Sequence, residues 1–326
     1  MNRQRKAIIE ANKVSTVEEF VLGGYLQKVL IEGKYENLPV VITLHGGPGS
    51  PIPFCVGARG LFPGFTDNCI LVSWDQYGCG INNAKLPDDV SINDFVNMTI
   101  ELIKEIKRRF PQNAVWLLGM SWGSVLSAMV AERSSEIIDG VITYGQVLYQ
   151  LMQSQETIDA LMKSKAPQKL KIELKTAVDS KEFNNKTAMR LSSAIRKYTY
   201  GYNNPNEPKA KVGKIIRGIM TSPDYKFKDF KAIVMNGYMK NTSLITELSE
   251  LDLRESLKSV SVPYHIIQGE TDIVTCTSSI VSFVEESDNP NLTCKVIPNS
   301  AHIPGVNGMQ AVFEEIRKLN IIGNNV

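Results

Sequence analysis

Three short apolar runs, Pro39–Leu44, Cys69–Trp74 and Val115–Leu118, limit what this chain can fold into more than any other feature. A strand with one wet face alternates apolar and polar residues. A continuous run therefore predicts a strand covered on both faces, the usual state of a parallel sheet. Between the second and third runs lies Ser91–Phe110. There Ile92, Phe95, Val96, Thr99, Ile100, Ile103 and Ile106 recur at helical spacing, Ser91 can cap the start, and Pro111 follows the end. Strand, helix and strand in that order make a βαβ unit, so an α/β fold with a mostly parallel central sheet flanked by helices is expected.

The rest of the chain extends this pattern and then interrupts it. Residues 17–31 alternate around Gly23-Gly24 and predict a hairpin. Val125, Leu126 and Met129 continue a helix after the third run, and Val141–Tyr144 supplies another strand. From Gln146 to Glu250 helical spacings recur without strand runs, as in Ala188-Leu191-Ile195-Tyr198 and Val212-Ile215-Ile216-Ile219. Strand signals return at Tyr264–Gln268 and Leu292–Ile297, and a last helix carries Met309, Val312, Phe313, Ile316 and Leu319. The expected organisation is a core over residues 1–145 and 251–326, interrupted by a helical cap over 146–250.

Composition excludes several classes. A hydrophobic share of 43% over 326 residues can build a core without disulfides or metals, and no cofactor or metal is expected. A net charge of +2 gives no footprint for nucleic acid or a membrane surface. No run reaches the roughly 18–20 apolar residues of a membrane helix. Ala7-Ile8-Ile9 is too short for the ~7–15-residue apolar region of a signal peptide, so a cytoplasmic location is expected. Cys55, Cys69, Cys79, Cys276 and Cys294 form no paired spacing and read as reduced, buried thiols. The sequence sets no oligomeric state.

The chemistry centres on Gly119-Met120-Ser121-Trp122-Gly123, which falls between a buried strand and a helix. Such a turn is too tight for Cβ atoms beside the serine, and it holds the hydroxyl clear of the backbone. Ser121 is therefore the candidate nucleophile. The amide of Trp122, at a helix N-terminus, is a candidate oxyanion donor. His45-Gly46-Gly47-Pro48-Gly49 follows the first parallel strand, where the second oxyanion amide is expected, and Gly47 is the candidate.

A serine hydroxyl needs a base, normally histidine. His45 precedes the nucleophile and reads as an organiser of its loop, and His265 sits inside an apolar strand and reads as buried structure. His302 lies between the last strand and the last helix and is the candidate base. Asp272, after the strand ending near Ile267, is the candidate acid that orients it, with Glu270 as its nearest competitor and Asp252 a distant one.

These stretches resemble a known family. The HGGPG run, Trp74-Asp75-Gln76-Tyr77-Gly78-Cys79-Gly80, Gly119-Met120-Ser121-Trp122-Gly123-Ser124, Gly269-Glu270-Thr271-Asp272 and Ala301-His302 are similar to proline iminopeptidases and related α/β-hydrolases. The resemblance implies the α/β-hydrolase fold, the triad Ser121, Asp272 and His302, and a helical cap over the site. Two features depart from it. Tyr77 stands where the family usually has arginine, and Trp74, Trp116 and Trp122 all lie outside residues 146–250, so the family's Trp-Glu cap motif is missing. That segment also holds 18 Lys and Arg against 10 Asp and Glu, a poor field for a substrate ammonium group. The expected activity is hydrolysis of small esters, amides or lactones through an acyl-enzyme, on a small-molecule or short-peptide substrate. The alternatives are a proline iminopeptidase and a non-catalytic ligand-binding protein that keeps the fold.

Overall fold

The computed structural model describes residues 2–149, 154–180, 185–235, 238 and 241–323. Eight strands form one sheet: β1 (Val14–Leu22), β2 (Tyr25–Gly33), β3 (Val40–Leu44), β4 (Ile70–Trp74), β5 (Val115–Met120), β6 (Gly140–Tyr144), β7 (Tyr264–Gly269) and β8 (Leu292–Ile297). Their order is β1-β2-β4-β3-β5-β6-β7-β8. The hairpin β1–β2 joins β4 antiparallel, and every pair from β4 to β8 is parallel. The three apolar runs became β3, β4 and β5 in the middle of the sheet. Every residue of β3, β4 and β6 is buried, which is why their sequences do not alternate.

Helices Ile92–Arg109 and Trp122–Arg133 cover one face, where Phe95, Ile103, Val125 and Leu126 pack on Ile42, Val72 and Leu117. Ser91 caps the first of these helices, and the Asp94 carboxylate returns a bond to the Ser91 amide. Helix Val306–Gly323 covers the other face, where Val312 and Ile316 pack with Val41, Leu118 and Ile142. Each such side chain taken out of water contributes roughly 1.5–3 kcal/mol. The two layers hold the carboxyl ends of β3, β5, β7 and β8 rigidly along one rim.

Between β6 and β7 the described residues form helices Gln155–Lys163, Gln168–Asp179, Asn185–Tyr198, Val212–Met220, Phe227–Val234 and Thr242–Glu250. Residues 150–153, 181–184, 236–237 and 239–240 of the expected 146–250 segment lie outside the described residues. No described helix is long and apolar enough to cross a membrane.

Two local expectations need correction, and one helix was not expected at all. The N-terminal residues form a helix, Arg3–Ala11, that the sequence reading did not foresee. It is anchored by a charged side chain: Arg5 is buried and donates to the carbonyls of Gly57 and Gly218. Only Cys55, Cys69 and Cys79 are fully buried. Cys276 precedes a surface helix and Cys294 lies on the edge strand β8, so both are half-exposed, and all five thiols are free. His265 is not buried structure either. It is half-exposed on β7, stacked on Trp116, with its Nδ1 2.8 Å from Thr293 Oγ1.

Candidate active site

The loop after β5 carries Ser121 with φ 51° and ψ −116°, a left-handed conformation that non-glycine residues avoid. The flanking glycines show why this strain is held. A Cβ on Gly123 would lie 1.8 Å from the Leu44 carbonyl oxygen, and one on Gly119 would lie 2.7 Å from the Gly123 oxygen. β5, β3 and the helix after Ser121 can meet this closely only if both positions lack side chains. The elbow is thus over-determined by backbone contacts on both sides. The Ser121 amide donates to the Tyr144 carbonyl at 2.9 Å, tying the turn to β6.

His302 comes from the loop between β8 and the last helix, and Asp272 from the loop after β7. The structure brings both to Ser121. Ser121 Oγ is 2.9 Å from His302 Nε2, and His302 Nδ1 is 2.9 Å from Asp272 Oδ2. With Nδ1–H donating to the carboxylate, Nε2 is left as acceptor for the serine hydroxyl. Asp272 is 1% exposed and has no Lys or Arg partner among the described residues. Its charge is held by donors instead. Val274 N and Thr275 N reach Oδ1 at 2.8 and 3.0 Å, and Thr275 Oγ1 reaches Oδ2 at 2.7 Å. Glu270, the competitor, points elsewhere: its Oε2 accepts from Asn299 N at 2.7 Å. Asp252 pairs with Arg254 on the surface.

The glycine loop after β3 lies directly against the elbow. A Cβ on Gly46 would come within 3.1 Å of the Met120 oxygen and 3.3 Å of Ser121 Cβ, so a larger residue there would press on the elbow. Gly47 has φ 120°, and a Cβ there would meet the amides of Gly49 and Ser50 at 2.7 and 2.8 Å. Among the described residues neither the Gly47 amide nor the Trp122 amide donates a hydrogen bond to another protein group. Both remain available to a substrate oxygen.

His45 locks this loop to the neighbouring strand. It is buried, and burial lowers its pKa to about 4, so the ring is neutral near pH 7. Its Nε2 accepts from the Gln76 amide at 3.0 Å, which leaves Nδ1 to donate to the Gly46 carbonyl at 3.0 Å. Gln76 Oε1 accepts from Trp122 Nε1 at 2.8 Å, joining the elbow to the same knot. Asp75 is fully buried and takes the amides of Val56 and Ile81 and the Tyr225 hydroxyl. Burial raises its pKa to about 6. Asp75 and Gln76 thus position the site without touching Ser121. The sequence signal was their place directly after a buried strand, where polar residues need dedicated partners.

The segment between β6 and β7 also reaches the site, through the loop that follows helix Asn185–Tyr198. Tyr202 sets its ring edge-on to His302, centroids 5.6 Å apart. The His302 and Ile303 amides donate to the carbonyls of Gly201 and Tyr202. Glu207 is buried and accepts from Gly305 N, Gly308 N and Ser300 Oγ, each at 3.0 Å. Ile273 and Val274, beside Asp272, pack with Ile158, Leu191 and Ile195. Sequence reasoning found neither Tyr202 nor Glu207, because contacts across more than 90 residues leave no local pattern.

The chain is also similar to known proteins. The family described as alpha/beta hydrolase fold matches residues 39–308. The chain is 23% identical over 308 residues to a probable aminopeptidase, YbaC, of Bacillus subtilis (strain 168), covering 92% of this chain and 94% of that protein. It is 25% identical over 260 residues to a proline iminopeptidase of Saccharolobus solfataricus, covering 78% and 76%. Among solved structures, VinJ superposes with a TM-score of 0.65 at 18% identity, covering 95% of this chain and 99% of that one. A proline iminopeptidase of Mycobacterium smegmatis does so with a TM-score of 0.62 at 17% identity, covering 94% and 99%.

Proposed function

Because the chain belongs to the α/β-hydrolase fold family and is a hydrolase, we propose that it is a serine hydrolase working through an acyl-enzyme on small ester, amide or lactone substrates. The observation that carries this reading is the continuous chain Asp272–His302–Ser121, with both contacts at 2.9 Å. In the first half-reaction Ser121 Oγ attacks the substrate carbonyl carbon while His302 Nε2 takes the hydroxyl proton. The carbonyl oxygen gains the negative charge and settles against the amides of Gly47 and Trp122. One such donor is worth about 10²–10³ in rate. The tetrahedral species collapses, the bond to the leaving group breaks, and His302 returns the proton to that group. Water then repeats the sequence on the acyl-serine: His302 takes its proton, the acid leaves, and Ser121 is restored. Throughout, Asp272 holds Nδ1–H and stabilises the imidazolium.

In this reading residues 146–250 form a cap that selects the substrate. Among the described residues of the segment, the two buried carboxylates, Glu207 and Asp229, are already engaged by the protein's own donors. Neither is left to hold a substrate ammonium group, which supports esters and neutral amides over peptides with a free N-terminus. The second reading, an N-terminal aminopeptidase, is supported by the relatives named probable aminopeptidase and proline iminopeptidase. A panel of short acyl esters, lactones and proline arylamides separates the two. Ester or lactone turnover above proline arylamide turnover is expected. The reverse, with a free amine required, would establish the second reading.

A further inference from the structure

Asp272 presents an accounting problem that its neighbours solve. An ionised carboxylate offers about four lone-pair positions, and a buried one is costly unless they are filled. His302 Nδ1 fills one, Val274 N a second, and Thr275 fills both others, with its amide on Oδ1 and its hydroxyl on Oδ2. The Thr275 hydroxyl therefore shares an oxygen with the histidine and lies 3.4 Å from Nδ1 itself. Thr275 is in turn held from the sheet. Gln268, fully buried on β7, donates Nε2 to the Thr275 carbonyl at 2.8 Å, while its Oε1 takes the Gln146 amide at 3.0 Å.

We propose that Thr275 is a positioning residue of the hydrolytic site, its hydroxyl fixing the Asp272 carboxylate and moderating the hold of that carboxylate on His302. This rests on the triad reading above. Two donors on one carboxylate oxygen divide its charge. With the hydroxyl present, the carboxylate is oriented, and its attraction for the imidazolium is partly offset. Without it, Oδ2 faces His302 alone in a dry environment. The imidazolium proton is then held more tightly, and the carboxylate is freer to rotate about its last bond. The first change moves the acid limb of the rate profile to higher pH, and the second lowers turnover. Substrate binding is little affected, because Thr275 touches Asp272 and not the Ser121 side of the ring. The other ionisable groups nearby are Tyr202 with Arg196 over its ring, Tyr144 and Glu207, and every variant at position 275 keeps their side chains.

The test compares wild type with Thr275→Val and Thr275→Ala, which lack the hydroxyl, and Thr275→Ser, which keeps it. Active sites are counted by stoichiometric fluorophosphonate labelling, and kcat and KM for a nitrophenyl acyl ester are followed against pH. Both hydroxyl-free variants should lose kcat on the order of 10- to 100-fold per active site, the span of one charge-assisted hydrogen bond. KM should stay within about threefold, and the acid limb should move to higher pH. Thr275→Ser should restore both rate and limb. Counting active sites removes the effect of poor folding, and the smaller alanine variant serves if valine does not fit. Hydroxyl-free variants with kcat near wild type and an unmoved limb would overturn the inference, as would a serine variant as impaired as valine. Ser121→Ala is run alongside. If it remains active, the triad reading itself falls; if it is inactive while Thr275→Val is normal, only the role of Thr275 falls.

Discussion

The rim of the sheet and the helices between β6 and β7 are built by different means. At the rim, positions are set by backbone packed against backbone: Gly123 against Leu44, Gly119 against Gly123, and Gly46 against Met120 and Ser121. The helices instead pack largely in smaller apolar clusters, one around Ile158, Leu174 and Leu191 and another in which Ile219, Tyr225 and Ile233 pack on Cys55 and Val56, while Leu244, Ile245 and Leu248 join the main core. Many of their polar links to the core and the N-terminal helix run through side chains, Tyr225 to Asp75, Asp224 to Arg59, Glu207 to Gly305 and Gly308, and Arg5 to Gly218, beside the backbone bonds of His302 and Ile303 to Gly201 and Tyr202. Charge divides the same way. Residues 146–250 hold 18 basic and 10 acidic side chains, and the remainder hold 18 and 24. A site fixed by backbone tolerates almost no substitution. A segment held largely through side chains can change its lining while the packing of the rim stays the same.

The sharpest way to break this contrast is at the backbone contacts. Gly123→Ala should prevent a stable fold, since its Cβ would lie 1.8 Å from a main-chain oxygen. A loss above about 4 kcal/mol is expected, read as absent soluble protein or a collapsed melting transition. Next comes Asp272→Asn, which should fold but lose turnover on the order of 10⁴-fold, because the amide favours the wrong histidine tautomer. Glu270→Gln should stay within about threefold of wild type, because its carboxylate serves Asn299. A dead glutamine variant beside an active asparagine one would mean the acid is misassigned.

Smaller effects are expected where the helices meet the sheet. Tyr225→Phe removes one donor from the buried Asp75 and should cost about 1–3 kcal/mol in thermal unfolding, with the rate per active site little changed. A rate loss as large as the stability loss would show that the two regions are not separable in this way. The subtlest effect is in pH. Burial holds the pKa of His45 below its ordinary value of 6.5, at about 4. Its contribution to stability is present above 6.5 and is lost as pH falls through 4. Burial holds Asp75 above 3.8, at about 6, so its contribution is present below 3.8 and is lost as pH rises through 6. His45→Gln should therefore flatten the loss of melting temperature on acidification, and Asp75→Asn should steepen it. Equal slopes for both variants and wild type would contradict the buried positions of these two groups.

The same contrast explains what was legible in the sequence. β3, β4, β5 and β6 announced themselves because strands buried on both faces cannot alternate, and the loop positions of Ser121, Asp272 and His302 were legible because each follows a strand. Gly119 and Gly123 were legible as a spacing, although the 1.8 Å reason for it was not. The partners of Gln76 and Thr275 were hidden, since a polar residue after a strand says that a partner exists and not which one. Tyr202 and Glu207 were hidden more deeply. They lie in a segment whose helical spacing reports its own clusters, while their partners His302 and Gly305 come about 100 residues later.

In the proposed mechanism Ser121 forms a covalent acyl intermediate, which intact-mass spectrometry of the protein quenched during turnover of an activated ester would detect. Wild type should carry a single acyl adduct that peptide mapping places on Ser121. Ser121→Ala should carry none and show no turnover, and His302→Ala should acylate far more slowly. An adduct on another residue, or turnover by Ser121→Ala comparable to wild type, would contradict the account.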